Sequence, residues 1–291
     1  ANTTNGNSTA VGYKALAVST ATNNTAVGTN AGLVTVAGNY NTFMGANTAI
    51  ANTAGFSNSA FGAGALAANT NADNNTAIGY LAMAANTTGG SNVAVGKGAL
   101  KANTTGCYNT AIGSSAMIKN TTGNRNVAVG TTAMGCNTTG CCNTAVGGMN
   151  DGTLPPMWCN TTGIRNTALG NATLVKNTTG DFNTAVGALA LFANTTADSN
   201  TAVGDSALKA NPTGAENTAV GKSAGVANTT GCRFTAVGFE SGKAHTTGIE
   251  NSLFGRKSGL ALTTGDNNTF IGSYSGVTQT TADNNTGVGK S

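Results

Sequence analysis

The sequence predicts an all-β fold, a parallel β-solenoid (β-roll) of 17-residue coils. Three observations predict it: a 17-residue repeat along the chain, a composition of small uncharged residues, and turn signals in every repeat. Only 8% of the 291 residues are charged and 5% are aromatic, whereas 42 are glycine. A globular domain usually carries about 25% charged residues and more large apolar ones. The composition therefore suits an ordered repeat better than an ordinary enzyme core.

The repeat is marked by a glycine, here called the anchor glycine, that closes each Asn-Thr-Ala-Val-Gly segment or its variant. The anchors are Gly12, Gly28, Gly45, Gly62, Gly79, Gly96, Gly113, Gly130, Gly147, Gly170, Gly187, Gly204, Gly221, Gly238, Gly255, Gly272 and Gly289. The 17-residue spacing holds except from Gly12 to Gly28, where it is shorter by one residue, and from Gly147 to Gly170, where it is longer by six. A unit of this length is too short for the helix pairs of the common α-solenoids.

Each repeat predicts one coil. Thr-Ala-Val forms a strand, the anchor glycine a turn at positive φ, Ala-Leu-x-Ala a second strand, and Asn-Thr-Thr-Gly the return turn. Asparagines in register, as at Asn86, Asn103 and Asn120 or Asn109, Asn126 and Asn143, are expected to form amide ladders between coils. We predict a single repeat domain over 1–291, with a six-residue insertion within 148–159. We expect the chain to be a fragment of a longer fibre, because it begins and ends inside the repeat without a capping unit.

The predicted strand is apolar on both faces. The residue before each anchor is large and apolar, as at Val95 and Ile112, and the residue before that is nearly always alanine. Neighbouring strand residues point to opposite faces, and a coil this short is too thin to cover its own outer side. We therefore expect copies of the chain to associate, as a homotrimer.

Toward the C-terminus the Ala-Leu segment changes to a Gly-apolar segment, as in Ser258-Gly259-Leu260. A shift of one residue reverses the face of a strand side chain. Two interpretations stay open: the packing between strands or chains changes there, or the repeat drifts without consequence.

The alternation of Asn-Thr-Ala-Val-Gly with Asn-Thr-Thr-Gly resembles the head repeats of trimeric autotransporter (YadA-like) adhesins and, more closely, repeats of phage tail-fibre proteins. The resemblance covers essentially the whole chain. It implies a left-handed parallel β-roll of three chains around one axis, with Val95-Gly96 and Val129-Gly130 at the end of an inner strand and its turn. The family's head repeat is shorter than the repeat of this chain, and its neck, stalk and membrane anchor have no counterpart here.

Several function classes are disfavoured by the sequence. The 14 basic and 10 acidic residues are scattered, so no concentrated positive face predicts nucleic-acid binding. No apolar stretch approaches the roughly 20 residues of a membrane span. The chain is not expected to be an enzyme or to need a cofactor: its single histidine, His245, is interpreted as a surface turn residue. Five aspartates recur six residues before an anchor, where a polar turn is favoured over Ca²⁺ binding.

Six cysteines cluster mostly between residues 107 and 159. Cys136 and Cys159 occupy matching positions of successive coils once the insertion is allowed for. Coils stack about 4.8 Å apart, so we hypothesise a disulfide between these two residues. Disulfides persist in oxidising compartments, which favours an extracellular location.

The insertion is the candidate binding loop. It includes Met149, Asp151, Leu154, Pro155, Pro156, Met157 and the only tryptophan, Trp158. Loops that emerge from a regular scaffold often carry binding residues, so an exposed Trp-Pro-Pro-Met tip is expected to contact a glycan or protein receptor on a host surface. The alternatives are a harmless bulge and a tryptophan that covers the roll beneath it.

The sequence thus predicts a structural fibre, a shaft or head of a cell-surface or virion appendage that supports adhesion or host attachment. An ice- or surface-binding solenoid is the alternative, in which ranks of threonine such as Thr104, Thr121 and Thr138 match a flat lattice. An enzyme acting on polysaccharide comes third.

Overall fold

The computed structural model describes residues 6–149 and 152–290. These residues form 17 strands of three residues each and no helix. The strands are β1 (Thr9–Val11), β2 (Thr25–Val27), β3 (Thr42–Met44), β4 (Ser59–Phe61), β5 (Thr76–Ile78), β6 (Val93–Val95), β7 (Thr110–Ile112), β8 (Val127–Val129), β9 (Thr144–Val146), β10 (Thr167–Leu169), β11 (Thr184–Val186), β12 (Thr201–Val203), β13 (Thr218–Val220), β14 (Thr235–Val237), β15 (Ser252–Phe254), β16 (Thr269–Ile271) and β17 (Thr286–Val288).

The chain divides into two compact units, Ala1–Cys142 and Asn143–Ser291. Strands β1–β8 belong to the first unit and β9–β17 to the second. Both units use the same coil. That the two form a single domain stays a prediction.

Within each unit, every strand pairs in parallel with the strand of the next coil. The pairing keeps the repeat in register, so that Thr42 lies beside Ser59, Phe43 beside Ala60 and Met44 beside Phe61. The irregular steps keep the same register: β1 pairs with β2 across the shorter step, and β9 pairs with β10 across the longer one. The predicted all-β parallel β-solenoid is therefore confirmed.

The prediction of a second strand is wrong. In the coil that follows Gly62, the Ala65 amide donates to the Gly62 carbonyl at 3.2 Å, and the Asn69 amide donates to the Leu66 carbonyl at 3.0 Å. Leu66 has a φ of 53° and Gly64 a φ of 68°. Residues at positive φ two positions apart curl the chain through successive turns, whereas a strand would extend about 3.3 Å per residue. Each coil consequently contains one strand and closes within one repeat.

The core is a narrow column inside each unit. The central alanine of most strands is fully buried, and it packs near the apolar residue four positions after the anchor, called position +4 below. Ala94 and Leu100 are examples, and both have 0% exposure. An alanine facing a leucine or methionine fills the small interior that such a short coil can enclose.

In coils that have glycine at position +4, a larger side chain from another position fills the space that leucine or methionine occupies in the other coils. A Cβ atom built on Gly32 would lie 2.7 Å from Cδ2 of Phe43, and one built on Gly225 would lie 2.7 Å from Cε1 of Phe234. Toward the C-terminus, Gly259 is packed against Leu253 in the same way. The change from Ala-Leu to Gly-apolar is therefore a change of packing within the unit, and not a drift without consequence.

Two columns of buried asparagines connect the coils. In the first column, Nδ2 of Asn103 donates to Oδ1 of Asn86 at 2.9 Å and to the Gly106 carbonyl at 2.9 Å. Asn120 repeats the bond to Asn103 at 2.9 Å. In the second column, the backbone amide of Asn126 donates to Oδ1 of Asn109 at 3.0 Å. The predicted amide ladder is thus confirmed, and its bonds between coils satisfy most of these buried amides, as burial of a polar group requires. The first column is interrupted at Asn194, whose Oδ1 has no partner, because Nδ2 of Asn211 donates to the Gly214 carbonyl instead.

Candidate functional site

The outer face of the strands carries an uncovered apolar stripe in each unit. The residue before each anchor points away from the core, because the alanine before it points inward. In the first unit Ile78 and Ile112 are both 41% exposed. The stripe consists of Val11, Val27, Met44, Phe61, Ile78, Val95, Ile112 and Val129 in the first unit, and of Val146, Leu169, Val186, Val203, Val220, Val237, Phe254, Ile271 and Val288 in the second. All are half-buried or exposed.

A stripe of this kind departs from the usual surface of a soluble monomer. Isolated exposed apolar side chains are normal, but a contiguous apolar patch often marks a contact with another molecule. Here the side chains follow one another at the spacing of neighbouring strands, about 4.8 Å. The two-faced pattern read from the sequence is therefore present, with alanine on the inner face and the larger residue on the outer face.

The insertion lies within the second unit, and its exposed part is smaller than expected. Met149 and Leu154 are exposed, whereas Pro155 and Pro156 are buried and Trp158 is half-buried. Asp151 lies outside the described residues.

The expectation of an exposed Trp-Pro-Pro-Met tip is wrong for most of that tip. Met157 is fully buried, because it lies one repeat before Leu174 and fills the place that position +4 fills in the regular coils. Its φ is 49° and its amide donates to the Thr173 carbonyl, as the amide of Leu174 does to the Ala190 carbonyl. Counting one repeat back from Leu174 gives this position from the sequence. The exposed receptor candidates that remain are Met149 and Leu154.

The hypothesised disulfide joins cysteines of different units. Cys136 lies in the first unit and Cys159 in the second, and both are half-buried. The pairing stays a prediction.

The recurring aspartates have a structural role. Oδ1 of Asp181 accepts the amide of Ile164 at 2.7 Å, and Oδ1 of Asp198 accepts the amide of Asp181 at 2.7 Å. Oδ1 of Asn124 accepts the backbone amide of Cys107 in the same way. Among the described residues no group of three or more His, Cys, Asp or Glu side chains could hold a metal ion. The aspartates therefore act as side-chain bridges between coils.

The hydroxyl groups of the threonine ranks form hydrogen bonds with the backbone. The Thr104 hydroxyl donates to the Thr121 carbonyl at 3.1 Å, and the Thr121 hydroxyl donates to the Thr138 carbonyl at 3.1 Å. A hydroxyl that is bonded within the coil stack and partly buried is poorly placed to match an external lattice. This geometry does not favour the ice-binding alternative.

His245 is a buried member of the first asparagine column, and its interpretation as a surface residue is wrong. Its side chain has 0% exposure, and its ring stacks on Phe234 with centroids 4.0 Å apart. Nδ1 lies 3.0 Å from Oδ1 of Asn228, and Nε2 lies 3.2 Å from Nδ2 of Asn251. A neutral ring that donates through Nδ1 and accepts through Nε2 satisfies both contacts. Burial lowers the pKa of His245 to about 4, and the charge of Asp266 opposes this shift.

The buried histidine predicts an acid-sensitive second unit. In the unfolded chain the His245 ring has a pKa near 6.5, whereas in the folded chain its pKa is about 4. Between these two pH values the unfolded chain binds a proton and the folded chain does not, so acid favours unfolding. We expect the free energy of unfolding to fall by about 3 kcal/mol as pH drops from 6.5 to 4. Chemical denaturation across this range measures the fall.

The matched control for this prediction is His245→Asn, which restores the residue type of the column. Its stability should lose most of the dependence on pH that the parent shows between pH 6.5 and 4. Equal pH profiles for the two proteins would contradict the assignment of the acid sensitivity to His245.

No model of a known protein family matches this sequence, and a search of characterised proteins finds no relative. The resemblance to adhesin and tail-fibre repeats stays a prediction. The part of the chain that the structure describes contains no helix that could span a membrane.

Proposed function

We propose that the chain is a structural segment of an extracellular fibre, on a cell surface or a virion, in which three copies associate through their outer strand faces. The observation that carries the proposal is the apolar stripe. In most strands its residue is the largest apolar side chain, yet the stripe lies outside the core. Bringing three stripes together would remove these side chains from water. This burial stabilises an assembly by about 25 cal/mol for each Å² of apolar surface buried.

The proposed role is mechanical support for attachment to a host. Parallel coils bonded through the backbone and through two asparagine columns give a regular stack whose length depends on the number of repeats. In the proposed fibre, Met149 and Leu154, which are exposed residues of the insertion, are the candidates for contact with a glycan or protein receptor.

The stripe is tested by placing charge on it. We expect Ile78→Lys/Ile112→Lys to separate the copies, because association would bury two unpaired ammonium groups. Phe56→Lys is the matched control, since Phe56 is 45% exposed in the same unit but does not belong to the stripe. Sedimentation velocity should show trimers for the parent and the control, and monomers for the double variant.

Trimers of the double variant as stable as those of the parent would show that the stripe is not the interface. Dissociation of Phe56→Lys to the same extent would show that the effect of added charge is not specific to the stripe.

A further inference from the structure

A small cavity opens on the first unit, on the turns that follow three successive anchors. Its volume is about 120 Å³. Tyr80 and Leu81 come from one coil, Lys97, Gly98 and Lys101 from the next, and Ser115 and Ile118 from the third. None of these residues belongs to the apolar stripe or to the insertion.

The cavity exists because Gly98 has no side chain. A Cβ atom on Gly98 would meet nothing closer than Oγ of Ser115 at 3.7 Å and Cδ1 of Ile118 at 3.9 Å. Leu81, which holds the equivalent position one coil earlier, leans away toward Gly64: a Cβ atom on Gly64 would lie 2.7 Å from its Cδ2. The floor is therefore open and mainly apolar.

The rim of the cavity is positively charged. Lys97 and Lys101 are both exposed, and among the described residues neither takes part in an ion pair. Residues 1–142 contain five basic residues and a single acidic one, Asp73, a net charge of +4. Oδ1 of Asp73 accepts the Phe56 amide at 2.8 Å, as a bridge between coils. The occupant best matched to this rim is an anion.

The remaining groups define the shape and polarity of the occupant. Tyr80 is 55% exposed and offers a ring face and a hydroxyl, Ser115 offers a second hydroxyl, and Leu81 and Ile118 offer apolar contact. A volume of about 120 Å³ is below the roughly 300–1,000 Å³ of pockets for drug-sized ligands, so one small ring is the largest group that fits. Sugar rings combine an apolar face with hydroxyl groups.

We propose that this cavity binds one negatively charged sugar residue of an acidic glycan. The sugar ring lies over Tyr80 and the apolar floor, and its charged group lies between Lys97 and Lys101. The rest of the glycan stays outside the cavity. This site is independent of the proposed association of copies.

Binding is tested with two acidic sugars and their uncharged counterparts: tetragalacturonate against its methyl ester, and sialyllactose against lactose. Saturation-transfer NMR titrations of the whole chain give the dissociation constants. We expect at least one acidic sugar to bind, and its uncharged counterpart to bind at least ten-fold more weakly. Absence of binding by both acidic sugars would overturn the proposal. Equal binding of a poly-glutamate peptide would also overturn it, by showing that the sugar ring contributes nothing.

Two variants locate the site. Lys97→Gln/Lys101→Gln should weaken binding of the acidic sugar by roughly ten-fold or more. The variant loses two exposed charge interactions, each of which raises the affinity by up to about five-fold. Gly98→Leu should abolish binding by filling the floor. Leucine is accommodated at the equivalent position of other coils, where Leu81 and Leu189 have φ values of 54° and 59° against 65° for Gly98. Lys119→Gln, an exposed lysine of the same unit outside the cavity, is the control and should bind as the parent does. Unchanged affinity in both site variants would overturn the proposal.

Discussion

Gly204→Ala is expected to destabilise the second unit by about 3 kcal/mol or more. The φ of Gly204 is 133°, a region that side-chain-bearing residues rarely adopt, and a Cβ atom there would lie 2.6 Å from the carbonyl oxygen of Gly221 in the next coil. The oxygen belongs to backbone held by the parallel pairing of β12 with β13, so it cannot move away without breaking the stack. Thermal and chemical unfolding of the variant measure the loss.

Gly289→Ala is the matched control for this substitution. Gly289 has a similar φ of 125°, but nothing lies within 4 Å of a Cβ atom built there. Alanine at residue 289 would have the same backbone strain but no collision with the next coil, so we expect a much smaller loss of stability. Equal losses for the two variants would show that contact between coils does not explain the glycine column.

Gly32→Leu and Phe43→Ala are each expected to destabilise the first unit, whereas the double variant should be nearly as stable as the parent. Phe43→Ala empties the core at a cost of about 3–5 kcal/mol, and Gly32→Leu overfills it at a cost of about 1–3 kcal/mol. Together they give the alanine and leucine found in most coils. Gly32 has a φ of 57°, close to the 53° of Leu66 at the same position of another coil, so leucine fits its backbone.

A double-mutant cycle in chemical denaturation measures the coupling between these two positions. Phe56→Ala is the control for Phe43→Ala, because Phe56 is 45% exposed and should change stability by less than about 0.5 kcal/mol. Losses that simply add in the double variant would contradict the exchange of core volume.

The repeat made most of the fold predictable. A fixed spacing of anchor glycines indicates stacked coils, and the register of β2–β8 and β10–β17 follows from it. The alternation of alanine with a larger residue correctly predicted one buried face and one outward face. The asparagine ladder through Asn103 and Asn120 was predictable because identical polar residues in register can satisfy one another.

The errors arose where backbone conformation and not side-chain pattern decides the structure. Ala65-Leu66 has the composition of a strand, but the positive φ of Leu66 is set by closure of the coil and has no signal in the residue type. The burial of His245 has no signal in its own residue type, because it depends on Asn228 one repeat earlier and on Phe234, which replaces an asparagine of the second column and stacks on the ring. Met157 is buried although it stands among the unusual residues of the insertion, because it lies one repeat before Leu174.

The candidate sites were less predictable than the fold. The cavity beside Gly98 depends on the direction in which Leu81 leans, and this follows from the glycine at residue 64 of the preceding coil. The apolar stripe was predicted, since its residues all precede an anchor.

The most direct test of the proposed fibre is the mass of the purified 28.4 kDa chain in solution, measured by light scattering with and without reductant. We expect the mass of three chains under both conditions, because in the proposed fibre the stripe joins copies through apolar contacts and not through cysteines. A folded monomer would contradict the account: it would show that the outer strand face remains in water.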